Sequence, residues 1–307
     1  MDTILKTHNL TKAFNGVEVI SNVNMTIRKG EIYGFLGPNG AGKTTLMKLI
    51  LNLIKPTSGQ IELFDEALTY SSYEFLNRIG SIIETAVFYD RLTGYENLEL
   101  HCEYMGYHED QAIEKALQMV DLAHIGKKKV KEYSLGMKQR LALARAIITK
   151  PELLILDEPI NGLDPVGIKD MRNLLKKLNK EYGVTILISS HIISEIEQIA
   201  DKIGIIKNGH LIQEIKLEDT RMEMKTCFEI VVNDSKKAAL ILLNTLNLEN
   251  FKVIDDTTIR LYDFKHPQTE IMNALIQNGI QIDAFLKKKD SLEDYFLKNV
   301  IGGETSA

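Results

Sequence analysis

The chain has 307 residues, 44% hydrophobic and 26% charged, an ordinary globular composition that excludes disordered, collagen-like and mucin-like chains. Thirty-seven Lys and Arg against 42 Asp and Glu leave a net charge of −5; with no basic footprint, nucleic acid is not expected as a partner. Cys102 and Cys227 make neither a metal-ligand spacing nor a disulfide framework, which points to a reducing, cytosolic setting. The first residues, Met1-Asp2-Thr3-Ile4-Leu5-Lys6, carry no signal-peptide pattern. No run reaches the ~18 consecutive apolar residues of a membrane span, so any membrane role must come through a partner.

From residue 1 to about 218 the pattern is α/β. Apolar runs at 31–36, 153–156 and 184–188 end at Gly, Asp or Ser. Runs this short, without polar alternation, predict buried parallel strands. A helix is expected over 170–181, with Met171, Leu174, Leu175 and Leu178 on one face. Between residues 93 and 149 the strand signal disappears, and 95–105, 109–120 and 135–148 read as a helical insert. Lys127-Lys128-Lys129-Val130-Lys131 reads as a solvated turn within it rather than a binding patch.

Residues 219–307 predict a small α+β domain: strand 227–232, helix 236–246, strand 251–255, strand 258–262, helix 266–278 and strand 280–285. The order β-α-β-β-α-β is that of a ferredoxin-like split unit. A last helix is expected over 291–300, with Ser291 and Asp294 spaced as a capping box.

Gly37-Pro38-Asn39-Gly40-Ala41-Gly42-Lys43-Thr44 fits G-x-x-x-x-G-K-[ST] in full, between the strand 31–36 and a helix expected from Thr45 to residue 53. Glycines let backbone N–H groups curl around phosphate oxygens, and the helix N-terminus adds a positive dipole. Lys43, expected to face solvent in the absence of ligand, would reach the terminal phosphates of a nucleoside triphosphate, and Thr44 would offer its hydroxyl to Mg²⁺.

Leu153-Leu154-Ile155-Leu156-Asp157-Glu158 is an apolar strand ending in two carboxylates, at the edge where α/β sheets bind ligands. Taken alone, the pair is equally a strand capped by acidic turn residues. Beside a phosphate loop, Asp157 can hold Mg²⁺ directly or through water. Glu158 can then orient and deprotonate the water that attacks the γ-phosphate.

Three further segments follow in order: Tyr133-Ser134-Leu135-Gly136-Met137-Lys138-Gln139-Arg140, Glu158-Pro159-Ile160-Asn161-Gly162-Leu163-Asp164-Pro165 and Ile188-Ser189-Ser190-His191. With the loop and the acidic strand, residues 1–218 resemble an ABC-type ATPase. The whole chain is similar to the ATP-binding subunits of bacitracin-resistance and lantibiotic-immunity exporters. Tyr33-Gly34-Phe35-Leu36, Ser134-Leu135-Gly136-Met137 and Ser291-Leu292-Glu293-Asp294-Tyr295-Phe296 carry that likeness, with the length of the C-terminal extension.

The resemblance implies ATP and Mg²⁺ as cofactors, ABC-2-type permease subunits as partners, and residence at the cytoplasmic face of a bacterial membrane. It also implies a second copy of the chain, joined head to tail around ATP. Phe14 would stack on adenine. Ser134 and Gly136 would cap the γ-phosphate of the opposite subunit, Asp164 would lie in the loop passing between subunits, and His191 would contact the γ-phosphate. Leu135, Met137 and Ile160 depart from the common pattern. Glu84, in Ile82-Ile83-Glu84-Thr85, stands where the family most often has glutamine. A carboxylate there could bind Mg²⁺ or water but cannot donate as glutamine does. The competing expectation is a soluble ATPase acting on ribosomes or nucleic acid.

Overall fold

A computed structural model describes residues 2–69, 72, 74–219 and 226–289. The chain divides into two units between Leu217 and Glu218.

In the first unit, β3 (Ile32–Leu36), β6 (Ile79–Ile82), β7 (Leu153–Leu156), β8 (Thr185–Ser190), β9 (Lys202–Lys207) and β10 (His210–Lys216) form one sheet. Its order is β10-β9-β3-β8-β7-β6. β3 pairs in parallel with β8 and β9, and β7 with β8 and β6, while β10 is an antiparallel edge. Every residue of β7 is buried, the state its unbroken apolar run predicts. Because β3, β8, β7 and β6 run parallel, their carboxyl ends all open onto one edge, where such sheets bind ligands.

The strand reading of the sequence is incomplete. β1 (Thr3–Phe14) and β2 (Val17–Arg28) form a long antiparallel hairpin, joined by β4 (Ser58–Leu63) and β5 (Glu66–Ala67) in a separate sheet ordered β2-β1-β4-β5. Register shifts fall at Thr7/Leu10 and Leu10/Lys12, and Asn9 and Asn22 take φ of 47° and 52°. Such bulges break the two-residue alternation by which a strand is read from sequence. The hairpin packs its buried face, including Leu5, Leu10, Ile20 and Val23, into one core with Phe35, Leu46 and Ile155.

α1 (Lys43–Ile50) starts two residues earlier than expected, because Gly42 at φ 106° ends the loop directly against it. α2 (Gly94–Met105), α3 (Ala112–Met119) and α4 (Leu135–Ile147) form the helical insert. Thr93 and Glu96 close a capping box on α2, and Ser134 Oγ caps α4 by accepting from Met137 N–H. α5 (Pro165–Tyr182) begins five residues before its predicted start. Asp164 caps it, Pro165 occupies its first position and Gly183 ends it in the left-handed region. A short α6 (Ile193–Glu197) follows β8.

The second unit runs β11 (Thr226–Val232), α7 (Ser235–Leu246), β12 (Phe251–Val253), β13 (Thr258–Leu261), α8 (Gln268–Gln277), β14 (Ile282–Lys289). The strands are antiparallel in the order β12-β13-β11-β14. Phe228, Ile230 and Val232 alternate into a core with Leu242, Ile259 and Leu275. The expected helix over 291–300 lies outside the described residues.

Candidate functional site

The loop 37–42 leaves β3 and enters α1. A Cβ on Gly37 would meet the Ile206 carbonyl oxygen at 2.4 Å, and one on Gly42 would meet Val19 O at 2.9 Å. The backbone therefore lies closer to its neighbours than any side chain allows. The loop, with Asn39, Gly40, Thr44, Thr45 and Glu158, walls an open cavity of about 410 Å³, to which Pro38 and Lys43 also contribute. Ala41 is buried beneath it.

Lys43 overturns one expectation. Its side chain was expected to face solvent, yet only 6% is exposed. The ammonium donates to the carbonyls of Gly37 at 2.6 Å and Pro38 at 3.2 Å, and lies 3.1 Å from Glu158 Oε1. A buried ammonium needs such partners, because desolvation without them is costly.

Across β8 from the loop that follows β3, Asp157 sits 6% exposed at the end of β7. Thr44 Oγ1 donates to its Oδ2 at 2.6 Å and Ser189 Oγ donates to its Oδ1 at 2.7 Å. Hydroxyl and carboxylate oxygens converging here are hard donors of the kind Mg²⁺ takes, so the pair fits that ion. Glu158 follows with φ 49°, a left-handed conformation rare outside glycine and frequent at functional sites. Its carboxylate is shared: Oε1 faces Lys43, and Oε2 lies 2.7 Å from Nδ1 of His191. His191 stands just beyond β8, with a third of its side chain exposed. Phosphate-loop lysine, two carboxylates and histidine, assigned from separate segments, are thus one contiguous cluster.

The remaining residues lie around it. Phe14, at the end of β1, is 45% exposed, with Lys12 Nζ 4.7 Å from its ring centroid. Glu84, two residues past β6 at φ 58°, lines a second cleft of about 360 Å³ with Leu135, Gln139, Asp157, Glu158 and Asn161. Its carboxylate is engaged by Lys48 of α1, Oε1 to Nζ 2.6 Å. Ser134 and Gly136 do not line the phosphate-loop cavity. Asp164 spends a carboxylate oxygen on the N–H of Gly167, at 2.7 Å.

Three neighbours escaped the sequence reading: Ser189, Asn161 and Lys48. Ser189 and Asn161 stood inside segments already singled out, as polar residues at a strand end and in a turn. Lys48 showed only as a charge in an apolar helix.

Residues 20–161 match the family model described as ABC transporter. Over the full length of both chains, the sequence is 55% identical to the uncharacterized ABC transporter ATP-binding protein YcbN of Bacillus subtilis. It is 46% identical, over 99% of each chain, to the bacitracin transport ATP-binding protein BcrA of Bacillus licheniformis. The lantibiotic transport ATP-binding protein SrtF of Streptococcus pyogenes is 46% identical over 69% of this chain and 90% of its own. Among solved structures, the dimeric post-hydrolysis state of the ATP-binding cassette MJ0796, bound to ADP and Pi, is similar with a TM-score of 0.62 and 30% identity. That match covers 70% of this chain and 99% of that one.

Proposed function

The chain belongs to the ATP-binding subunits of ABC transporters, and we propose that it hydrolyses ATP at the Lys43–Asp157–Glu158–His191 cluster to drive separate membrane permeases. The observation that carries this is the joint engagement of Glu158 by Lys43 and His191, at 3.1 and 2.7 Å, beside an Asp157 tied to Thr44.

The chemistry follows from what each group can do. The N–H groups of residues 40–45 and the Lys43 ammonium would bind the β- and γ-phosphates, replacing the carbonyls and carboxylate that now satisfy Lys43. Thr44 and Asp157 would hold Mg²⁺, with Glu84 at the margin of the shared cleft; the ion supplies positive charge against the phosphates. Glu158 would take the proton of the attacking water, with His191 holding the carboxylate's orientation, and ADP and phosphate would leave. The exposed Phe14 ring offers a face for adenine once Lys12 moves aside.

Ser134 and Gly136, away from the chain's own loop, suit the γ-phosphate of a second copy, and MJ0796 forms a dimer. Asp164 would act by shaping the turn before α5, since its carboxylate caps that helix. No helix among the described residues is long and apolar enough to cross a membrane, so ABC-2-type permeases would supply the spans. They would hold this subunit at the cytoplasmic face, docking on the helical insert and the Glu84 loop. BcrA and SrtF are named for bacitracin and lantibiotic transport. They support a peptide-antibiotic exporter serving resistance or immunity over a soluble ATPase acting on ribosomes or nucleic acid.

We read 1–218 as the ATPase domain and 219–307 as a ferredoxin-like split unit, supported by the strand order β12-β13-β11-β14. A pull-down of the tagged chain from detergent-solubilised membranes tests the assignment. Co-purifying membrane-spanning subunits support it, and ribosomes in their place refute it.

A further inference from the structure

We infer that Ser189 is a positioning residue of the hydrolytic centre, holding Asp157 and Glu158 in register with one hydroxyl. The inference rests on the assignment of those two carboxylates to Mg²⁺ and water.

Ser189 is fully buried near the end of β8, between β3 and β7. Leu156 pairs with Ile188, so Asp157 and Ser189 are the next residues along the two strands. The hydroxyl makes two bonds of opposite sense. It accepts from the Glu158 N–H at 2.8 Å and donates to Asp157 Oδ1 at 2.7 Å. A peptide N–H can only donate, so the single serine proton is committed to Asp157.

Two consequences follow. Asp157 Oδ1 is fixed, which turns Oδ2 toward Thr44, at 2.6 Å. Glu158 is anchored through its own peptide in the φ 49° conformation, from which its carboxylate reaches both Lys43 and His191. Alanine at position 189 would leave a buried carboxylate oxygen and the Glu158 N–H each short of a partner. Each loss bears on a group assigned to the chemistry and none on the phosphate loop. A residue that merely filled β8 would be served equally well by alanine, valine or cysteine.

The test uses the full chain, with Ser189→Ala, Ser189→Cys and Ser189→Thr. In nucleotide titrations, Ser189→Ala should bind ATP in EDTA within about twofold of wild type, yet lose about tenfold of the affinity gained on adding Mg²⁺. That loss is the scale of one buried hydrogen bond to a charged group. Turnover at saturating Mg²⁺-ATP should fall about tenfold or more, and KM should rise by no more than the same roughly tenfold seen in Mg²⁺-dependent binding. Ser189→Thr, which keeps the hydroxyl, should recover most of both readouts, and Ser189→Cys, a weak donor, little. Wild-type turnover and Mg²⁺ dependence in Ser189→Ala overturn the inference. Should that variant fail to fold, wild-type values in Ser189→Cys do so. Glu158→Gln, assayed alongside, separates the two failures. If it is inactive while Ser189→Ala is normal, only the serine assignment falls. If both are normal, the hydrolysis assignment falls and takes the serine with it.

Discussion

The Lys43 ammonium and the Glu158 carboxylate are each other's counter-ions, 3.1 Å apart and with 6% and 20% of their side chains exposed. The group proposed to meet phosphate and the group proposed to meet water are thus paired to one another. ATP must part them: its phosphates take the lysine, and the glutamate is left to His191 and the water.

Lys43→Ala should therefore do two things. ATP affinity should fall about thirtyfold or more with the loss of a charge-assisted contact, and the proposed peptide-antibiotic resistance should be lost with it. Because the side chain is buried and donates to Gly37 and Pro38, stability should fall by about 1–2 kcal/mol while the fold is kept. A fluorescent-nucleotide titration and a thermal melt read the two effects separately, and wild-type affinity would reject the site.

Glu84 should behave differently. Its ion pair with Lys48 is exposed, at 64% and 32% of the two side chains, and pairs of that kind contribute about 0–1 kcal/mol. Glu84→Ala is expected to melt near wild type, lose ATP affinity modestly, and lose most of the antibiotic protection proposed for the assembled transporter. Glu84→Gln should restore much of it, since one acceptor oxygen stays in place. Resistance and ATPase rate at wild-type levels in Glu84→Ala would make the residue loop decoration.

The second unit should carry an acid-sensitive contact. Burial alone would raise the Glu229 pKa, but hydrogen bonds and charge from Lys288 and Arg260 outweigh it and hold it below the usual glutamate value. A depressed folded-state pKa adds stability that is present above the unfolded value, about 4.3, and lost as pH falls through the lower folded value. Glu229→Gln should therefore melt about 5 °C below wild type at pH 7, with the gap closing as pH drops under about 4. A gap that stays constant down to acid pH would contradict the ion-pair account.

What the sequence disclosed, and what it hid, follows from how the chemistry is spread along the chain. The positions of the loop 37–44 and the Asp157–Glu158 strand end were legible because each sits in contiguous residues with a fixed strand or helix beside it. The first hairpin was not, since Asn9 and Asn22 in left-handed conformations shift the register on which strand reading depends. Lys43 was misjudged as solvent-facing because its partners, Gly37, Pro38 and Glu158, meet it only in the fold. The same holds for Ser189 and Lys48, whose roles arise from residues 32 and 36 positions away.

The most direct test of the account is the steady-state ATPase rate of Glu158→Gln, measured beside ATP binding. Glutamine keeps the shape and the contact with Lys43 but cannot take a proton from water. The expected result is a rate lower by about 10²-fold or more, ATP binding within a few-fold of wild type, and a dimer that persists while ATP is bound. An unchanged rate would contradict the account, because another residue would then activate the water.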